Sequence, residues 1–297
     1  MHRSTKGAPR GIVTRTALLL VALSLALPGE VRPANTPAGI PANTWDSPEI
    51  EAGFRLLYEL RFRDARMVFQ SWQSENPGYP LGHAALAASH LFEEFYHHGV
   101  LTSEFFLDDK RLLGGIDGMP DPERREAFLD FNQEARNLAE QQLEEDPRNP
   151  EALFALTLAT GMMADYAGLI EKRHLASLRF AREAEGFAKE LLAVRPDSAD
   201  AYLALGAANY LLGSLPWHKR ALLWLGGISG NREEGMRQLS VTAEEGHYLK
   251  PFAKILLALT ALREKQPALT RRLLEELTAE FPTNPLFRRE LFLLDGE

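Results

Sequence analysis

The sequence predicts an all-α fold in which pairs of antiparallel helices stack side by side in one row, over residues 48–297. Helix-start signals recur along the chain, and a pattern of small residues and prolines recurs at longer range. No stretch alternates apolar and polar residues for long enough to indicate a β-sheet. Hydrophobic residues make up 45% of the chain and charged residues 25%, a globular composition that excludes wholesale disorder.

Residues 1–34 have the composition of an export signal. A basic, polar start precedes an uninterrupted weakly polar to apolar run over 17–27, which Pro28 and Gly29 end. Eleven helical residues span about 16 Å, roughly half of the bilayer core. We therefore predict a secretory signal peptide and an exported, periplasmic protein, with membrane tethering through an uncleaved segment as the alternative. Residues 35–47 hold no periodic pattern and predict a disordered linker.

The predicted helix starts share one local pattern, in which a capping side chain precedes a proline and then an acid. The cap accepts a backbone N–H, the proline loses no hydrogen bond in the first turn, and the acid lies at the positive end of the helix dipole. The examples are Ser47-Pro48-Glu49, Asp121-Pro122-Glu123 and Asn149-Pro150-Glu151, and Asn231 with Glu234 is similar to a capping box.

A second pattern places an apolar residue four positions after a small one, and a proline twelve positions after it. The small residue lets a neighbouring helix approach, and the apolar residue fills the gap on the same face. The proline ends the helix, and an apolar residue nine positions later falls inside the next helix, facing back. The sets are Ala65, Phe69, Pro77 and Leu86; Ala135, Ala139, Pro147 and Leu156; Ala184, Ala188, Pro196 and Leu205; and Thr270, Leu274, Pro282 and Leu291.

These residues resemble the tetratricopeptide repeat (TPR), best over 135–156 and 184–206. The resemblance implies a right-handed α-solenoid of about five irregular TPR-like helix pairs with two insertions and a short C-terminal cap helix. Repeat spacing departs from the family's usual value of about 34 residues, because of the insertions and one long helix pair. The predicted pairs are 48–60 with 62–75, 81–98 with 122–146, 150–166 with 170–194, 198–213 with 231–246, and 250–264 with 267–281, and the cap covers 285–294.

Composition and motifs exclude several classes of function. The absence of cysteine removes disulfides, thiol nucleophiles and cysteine-based metal sites. Residues 1–34 carry five basic groups and one acid, so the rest of the chain has a net charge of −12 where the whole has −8, and nucleic acid is not an expected partner. His90, Glu94 and His97 have metal-ligand spacing on one helix face but are more simply a solvated face. With no catalytic or phosphate-binding motif, we expect neither enzymatic activity nor a cofactor or metal.

The predicted inner face of the solenoid is the candidate binding surface. In TPR proteins the first helix of each pair lines the groove, and here the third and fourth pairs present mostly apolar side chains there. Either these residues pack inside a tight superhelix, or the groove binds an apolar helix or a small apolar ligand. The candidate partner- or ligand-binding residues, together with one from the second insertion, are Phe154, Leu158, Met162, Leu203, Tyr210 and Trp217.

The two predicted insertions, 99–120 and 214–230, allow two interpretations. The simpler expectation is that both fold over the solenoid and bury their aromatic residues, Trp217 and Trp224 among them. The alternative is that residues 215–228 form an exposed apolar patch that contacts a partner or a membrane surface.

The sequence thus favours a non-catalytic, exported scaffold that binds another protein or peptide in the cell envelope, because a repeat array presents a broad rigid surface. The alternative is a periplasmic solute-binding or transport-accessory protein, similar to the T-component of tripartite transporters, with a small apolar ligand in the solenoid. The long predicted helices 122–146 and 170–194 favour this alternative. Residues 92–101 and 213–217 are also similar to exported repeat proteins of soil bacteria, which have no assigned activity.

Overall fold

The structure, a computed structural model, describes residues 47–215, 217, 220, 224 and 229–295. All of them belong to the second of two structural units of the chain, residues 43–297. The predicted signal peptide and the predicted linker up to residue 46 lie outside the described residues.

The described residues form thirteen α-helices and contain no β-strand. They confirm the predicted α-solenoid of five helix pairs, which are α1 with α2, α3 with α6, α7 with α8, α9 with α10, and α11 with α12. A π-helical turn (Tyr166–Ile170) follows α7, and a 3-10 turn (Ala199–Ala201) precedes α9. The helices are α1 (Pro48–Tyr58), α2 (Phe62–Glu75), α3 (Pro80–His97), α4 (Ser103–Leu107), α5 (Asp109–Gly114), α6 (Pro122–Glu145), α7 (Pro150–Asp165), α8 (His174–Val194), α9 (Tyr202–Ser214), α10 (Arg232–Glu245), α11 (Lys250–Arg263), α12 (Pro267–Glu280) and α13 (Pro285–Asp295), which is the predicted cap.

The predicted caps begin their helices. The side chains of Ser47, Asp121, Asn149 and Asn231 each accept backbone N–H groups of the first turn. Each such cap contributes about 1 kcal/mol to helix stability. The capping box at Asn231 forms only half, because the Glu234 carboxylate accepts from Arg237 and Gln238 further along the helix.

Small residues lie where helices cross. Ala65, Ala135 and Ala184 are at most 2% exposed, as the repeat pattern requires. At the crossing of α9 and α10, a Cβ on Gly235 would lie 2.5 Å from the Tyr210 backbone nitrogen, and one on Gly206 would lie 2.9 Å from the Gly235 carbonyl oxygen. Glycine is therefore required on both sides of this contact.

The first and last helix pairs contact each other, which a linear row of repeats does not require. The Tyr58 hydroxyl donates to the Tyr248 carbonyl (2.9 Å), and the Asn284 side-chain amide donates to the Tyr58 carbonyl (2.8 Å). The rings of Tyr58 and Phe281 lie 5.6 Å apart, and Arg55 donates to the Glu280 carbonyl. The row of helices consequently closes on itself.

The first insertion folds over the solenoid, as predicted. Phe105 is buried and Phe106 half-buried. The Arg263 guanidinium of α11 donates to the Phe106 carbonyl and pairs with Asp109 at 2.7 Å. This insertion therefore bridges the second and fifth helix pairs.

The second insertion differs from the simpler expectation. Trp217 is 80% exposed and Trp224 is 69% exposed, so the expectation that both are buried is wrong. A Cβ on Gly213 would lie 2.6 Å from the Arg232 backbone nitrogen, which shows that the contact of α9 with α10 reaches this point. Trp217 follows beyond that contact. Leu222 and Leu223, also expected to be buried, lie outside the described residues.

Candidate functional site

The inner face of the solenoid is packed against itself. The Tyr248 ring, 1% exposed, lies 5.4 Å from the Phe54 ring of α1 and 6.3 Å from the Phe154 ring of α7. On the opposite walls, Phe92 of α3 and Phe252 of α11 meet edge to face at 5.1 Å. The face that could receive a peptide in an open superhelix is filled here by the chain itself.

The structure brings five of the six predicted binding residues to this interior. Phe154, Met162 and Tyr210 are at most 5% exposed, whereas Leu158 and Leu203 are half-buried. Trp217 lies apart from them, beyond the end of α9. A partner could touch Phe154, Met162 or Tyr210 only if the helices moved apart, and binding by these residues stays a prediction.

Tyr210 joins the fourth and fifth helix pairs. Its hydroxyl donates to the Glu264 carboxylate at 3.1 Å, and Arg232 contacts the same oxygen at 3.1 Å. Burial raises the pKa of Tyr210, and the neighbouring Glu264 carboxylate raises it further. The Tyr210 hydroxyl therefore already has a hydrogen-bond acceptor within the chain.

Asp200 holds the turn that carries Tyr248. Its carboxylate, in a residue 3% exposed, accepts the backbone N–H groups of His247, Tyr248 and Leu249 at 2.9, 3.0 and 3.2 Å. Burial raises the pKa of Asp200, and the three N–H bonds act in the opposite direction. Hydrogen bonds to a charged group are worth about 1.5–3 kcal/mol each. This structural role, which connects residues nearly fifty positions apart, has no local signal in the sequence.

Asp165 is the most perturbed carboxyl on the inner side of α7. It ends the helix directly before the π-helical turn, a geometry found often at functional sites. Burial alone raises the pKa of Asp165 to about 7, with no neighbouring charge contributing. The residue nevertheless stays partly exposed. Such a carboxyl can hold a proton near neutral pH or pair with a cationic group.

The predicted metal-ligand spacing on α3 does not gather its residues around one point. The Glu94 carboxylate, 5% exposed, accepts from the Arg124 guanidinium at 2.6 Å and contacts the His98 ring at 2.9 Å. The His90 ring stacks on Phe131 instead, and burial lowers the pKa of His90 to about 4. Across the ranges that the structure describes, no three potential metal ligands lie close enough to share an ion.

Exposed apolar side chains concentrate on one edge of the solenoid. Stacked hairpins place the turns between their first and second helices on the same edge. We call the edge formed by residues 96–121, 166–179, 211–215, 217, 220, 224 and 229–231 the turn edge. Of the large apolar side chains that are exposed among the described residues, those on the turn edge are Tyr96, Leu107, Leu113, Met119, Leu175, Leu211, Trp217 and Trp224.

Sequence reasoning found only the two tryptophans of this set. The sequence held a signal for Leu175, because it lies nine residues before buried Ala184. Nine residues of α-helix make two and a half turns, which predicts that the two side chains lie on opposite sides of the helix. Leu175 is in fact 85% exposed, on the side of α8 opposite Ala184. No such phase exists for Met119, which lies in irregular chain.

The two parts of the turn edge carry opposite charge. Exposed Asp108, Asp109 and Asp117 lie beside the apolar residues of the first insertion, with exposed Lys110 and Arg111 among them, and residues 99–120 keep a net charge of −2 (four acids, two bases). The start of α8 is instead basic and borders an open surface concavity of about 540 Å³, lined by Arg173, His174, Leu175, Ala176 and Arg179.

One helical stretch of the described residues, Pro150–Ile170, is long and apolar enough to cross a membrane. Because 67% of its most apolar window is buried inside the protein, it is more simply the core helix of the solenoid.

Comparison with known proteins finds likeness only to solved structures. No family model matches the chain, and no curated protein matches it. A solved structure, a thermophilic TPR protein of Thermus thermophilus, is 15% identical and covers 84% of this chain and 98% of its own, with a TM-score of 0.44. A TM-score of 0.44 identifies neither a family nor a function, so we assign the fold from the helices of this chain and their packing.

Proposed function

We propose that the protein is a non-catalytic, exported scaffold that binds another protein in the cell envelope through its turn edge. The observation that carries the proposal is the position of the exposed apolar side chains. They are concentrated on the turn edge, while the inner face is filled. Contiguous exposed apolar surface on a soluble protein marks an interaction site.

The surface proposed for the partner is the first-insertion patch, which consists of Leu107, Leu113 and Met119. These side chains are 43%, 50% and 86% exposed, and exposed aspartates lie beside them. A complementary partner would present apolar side chains, with basic groups opposite Asp108 and Asp117.

The backbone beneath the first-insertion patch is held in place. The Asp108 side chain caps α5, and the Ile116 N–H donates to the Leu169 carbonyl of the π-helical turn at 2.8 Å. Gly115 adopts a positive φ of 68°, and a Cβ there would lie 2.3 Å from the same carbonyl oxygen. A patch ordered in advance loses little conformational entropy on binding.

The surroundings of the perturbed titratable groups support a non-catalytic role. Asp200 binds three backbone N–H groups, His90 stacks on an aromatic ring, and no charged group acts on Asp165. Nucleophilic catalysis needs a nucleophile beside a group that activates it, and these surroundings do not supply such a pair.

Export is supported by the sequence of residues 1–34. Fractionation of cells that express the full chain with a C-terminal tag, followed by N-terminal sequencing of the recovered protein, tests export and processing. Recovery of the intact chain from the cytoplasm alone would contradict this part of the proposal.

The partner is tested by capture from envelope extract with the full chain as bait. The double variant Leu113→Asp with Met119→Asp should abolish recovery of the specific partner. The reason is that it places two charges where the complex would bury apolar side chains. Met67→Asp is the matched control, since Met67 is 55% exposed on α2, away from the turn edge. Equal recovery by the wild type and the double variant would refute binding at the first-insertion patch.

The second candidate function is binding of a small apolar ligand in the solenoid. It would require the helices to move apart, because the inner face is filled, and the half-buried Leu158 and Leu203 are the side chains that such a ligand would contact. Native mass spectrometry of the purified full chain distinguishes the two, because a retained small molecule would support this candidate and a partner protein would support the scaffold.

A further inference from the structure

A second surface of the turn edge has a different chemistry from the first-insertion patch. Trp217, Arg220 and Trp224 are each helical and exposed, at intervals of three and four residues. That spacing places side chains on one face of a helix. The tryptophans are 80% and 69% exposed, so this face presents two indole rings with a guanidinium between them.

The start of α8 adds to this surface. Leu175 is 85% exposed, and Arg173 and Arg179 flank it on the same concavity. Helix α8 packs on α9, and the chain leaves α9 toward Trp217 at the turn edge, where α8 begins. We call Leu175, Leu211, Trp217 and Trp224, with Arg173, Arg179 and Arg220, the tryptophan patch.

Charge is strongly uneven around the tryptophan patch. Residues 201–232 contain no acid and include Lys219, Arg220 and Arg232. Residues 172–182 contain four lysines and arginines and no acid, whereas the chain beyond residue 34 carries a net charge of −12. Of the basic side chains at the start of α8, Arg173 pairs with Glu171, while Lys172 and Arg182 are exposed without an ion pair among the described residues.

We infer that the tryptophan patch docks the protein on the surface of a lipid bilayer with anionic headgroups. Indole rings, with an apolar body and one N–H donor, favour the headgroup level of a bilayer. Arginine side chains extend apolar stems while placing their charge beside lipid phosphates. The patch projects from two separate turns, and a bilayer surface can meet both at once.

The remaining charge fixes the orientation of this docking. The negative surface elsewhere, including the first insertion, is repelled by anionic headgroups, so the tryptophan patch is the surface that approaches them. Each basic residue near such a surface strengthens binding about fivefold. Screening shortens these interactions to about 8 Å at physiological ionic strength, so binding should weaken with added salt.

Vesicle binding by the full chain tests the proposal. The probes are vesicles of phosphatidylcholine alone and vesicles with 30% phosphatidylglycerol, each also prepared with brominated acyl chains that quench indole fluorescence on contact. Trp217→Phe with Trp224→Phe removes the two reporting indoles and leaves Trp72, which is 7% exposed, and Trp45, outside the described residues. Arg173→Gln with Arg179→Gln removes charge alone, and Phe292→Ser on α13, 77% exposed in the wild type, is the matched control.

The wild type and Phe292→Ser should bind anionic vesicles with equal affinity, and at least tenfold more tightly than neutral vesicles. Brominated acyl chains should quench the indole fluorescence of both proteins, and the Trp217/Trp224 variant should lose this quenching. The arginine variant should bind at least tenfold more weakly than the wild type. Circular dichroism checks that each variant is folded. Binding without quenching of Trp217 and Trp224 would assign the contact to the N-terminal segment and overturn the proposal. Equal affinity for neutral and anionic vesicles, or no binding to either, would also overturn it. These outcomes are independent of the partner capture, which uses Leu113 and Met119.

Discussion

Closure of the solenoid through Tyr248 makes a strong prediction about stability. Tyr248 lies in the turn before α11, and its ring packs on Phe54 of the first helix pair and Phe154 of the third. Its hydroxyl accepts the Ser47 N–H at 3.1 Å. Tyr248→Ala should destabilise the protein by about 3–5 kcal/mol, the cost of truncating a buried aromatic side chain. Tyr248→Phe keeps the ring and should cost about 1–3 kcal/mol, because the buried Ser47 N–H loses its acceptor.

Hydrogen exchange separates loss of closure from a general loss of stability. The Tyr248 ring is one of the contacts between helix α1 and the last helix pairs, and the Tyr58–Phe281 and Arg55–Glu280 contacts stay in the variant. Peptides over 48–58 should therefore exchange faster in Tyr248→Ala than in Tyr248→Phe, and by more than peptides over 150–194. Urea unfolding followed by circular dichroism supplies the global free energies. If α1 exchanges as slowly in Tyr248→Ala as in the wild type, the Tyr248 ring does not hold α1 against the rest of the solenoid and the prediction is wrong.

Three other perturbations have expected outcomes. The pKa of Asp165 in the folded protein is raised to about 7, so its contribution to stability is complete below about pH 4 and is lost as the pH rises to 7. Asp165→Asn should be as stable as the wild type near pH 4 and more stable by about 1–3 kcal/mol above pH 7, which is less than the full pKa shift implies because the residue is partly exposed. Identical melting profiles against pH for the two proteins would contradict this. Glu94→Gln leaves the Arg124 guanidinium without its buried counterion and should cost about 3 kcal/mol in urea unfolding, and a cost below 0.5 kcal/mol would show that the pair contributes little. Ala184→Arg should destabilise the protein by several kcal/mol, because Ala184 is 2% exposed. Gly186→Arg is the control, since nothing lies within 4 Å of a Cβ at that position. Equal melting temperatures of the two variants would refute the assignment of Ala184 to the packed face of α8.

Sequence reasoning located the helices because their signals are local. Ser47, Asp121, Asn149 and Asn231 act within three residues of themselves, and the helices begin where those caps predict. The predicted boundary at 170 was less accurate, since α8 begins at His174 after the π-helical turn. A long-range hydrogen bond from Ile116 to Leu169 contributes to that turn, and nothing within the turn's own sequence specifies it.

The closed inner face was one of two alternatives that the sequence left open. Closure depends on the rotation from each helix pair to the next, accumulated over five pairs, and on contacts such as Ser47 with Tyr248 across 201 positions. The exposure of Trp217 was likewise one of two alternatives, because helical spacing places Trp217, Arg220 and Trp224 on one face and does not say whether that face is buried. Asp165 carried a weak signal, as a carboxyl that ends an apolar helix.

Closure determines which surfaces of the protein other molecules can reach. With Phe92 against Phe252 and Tyr248 between Phe54 and Phe154, side chains that would line an open groove become the core. Exposed apolar surface is left on the turn edge, where the acidic first-insertion patch and the basic tryptophan patch adjoin. A partner bound to the first insertion while the tryptophan patch rests on a bilayer would therefore lie beside that bilayer. Such a partner needs a basic, apolar face close to the membrane plane, a requirement that a partner in the groove of an open solenoid would not have.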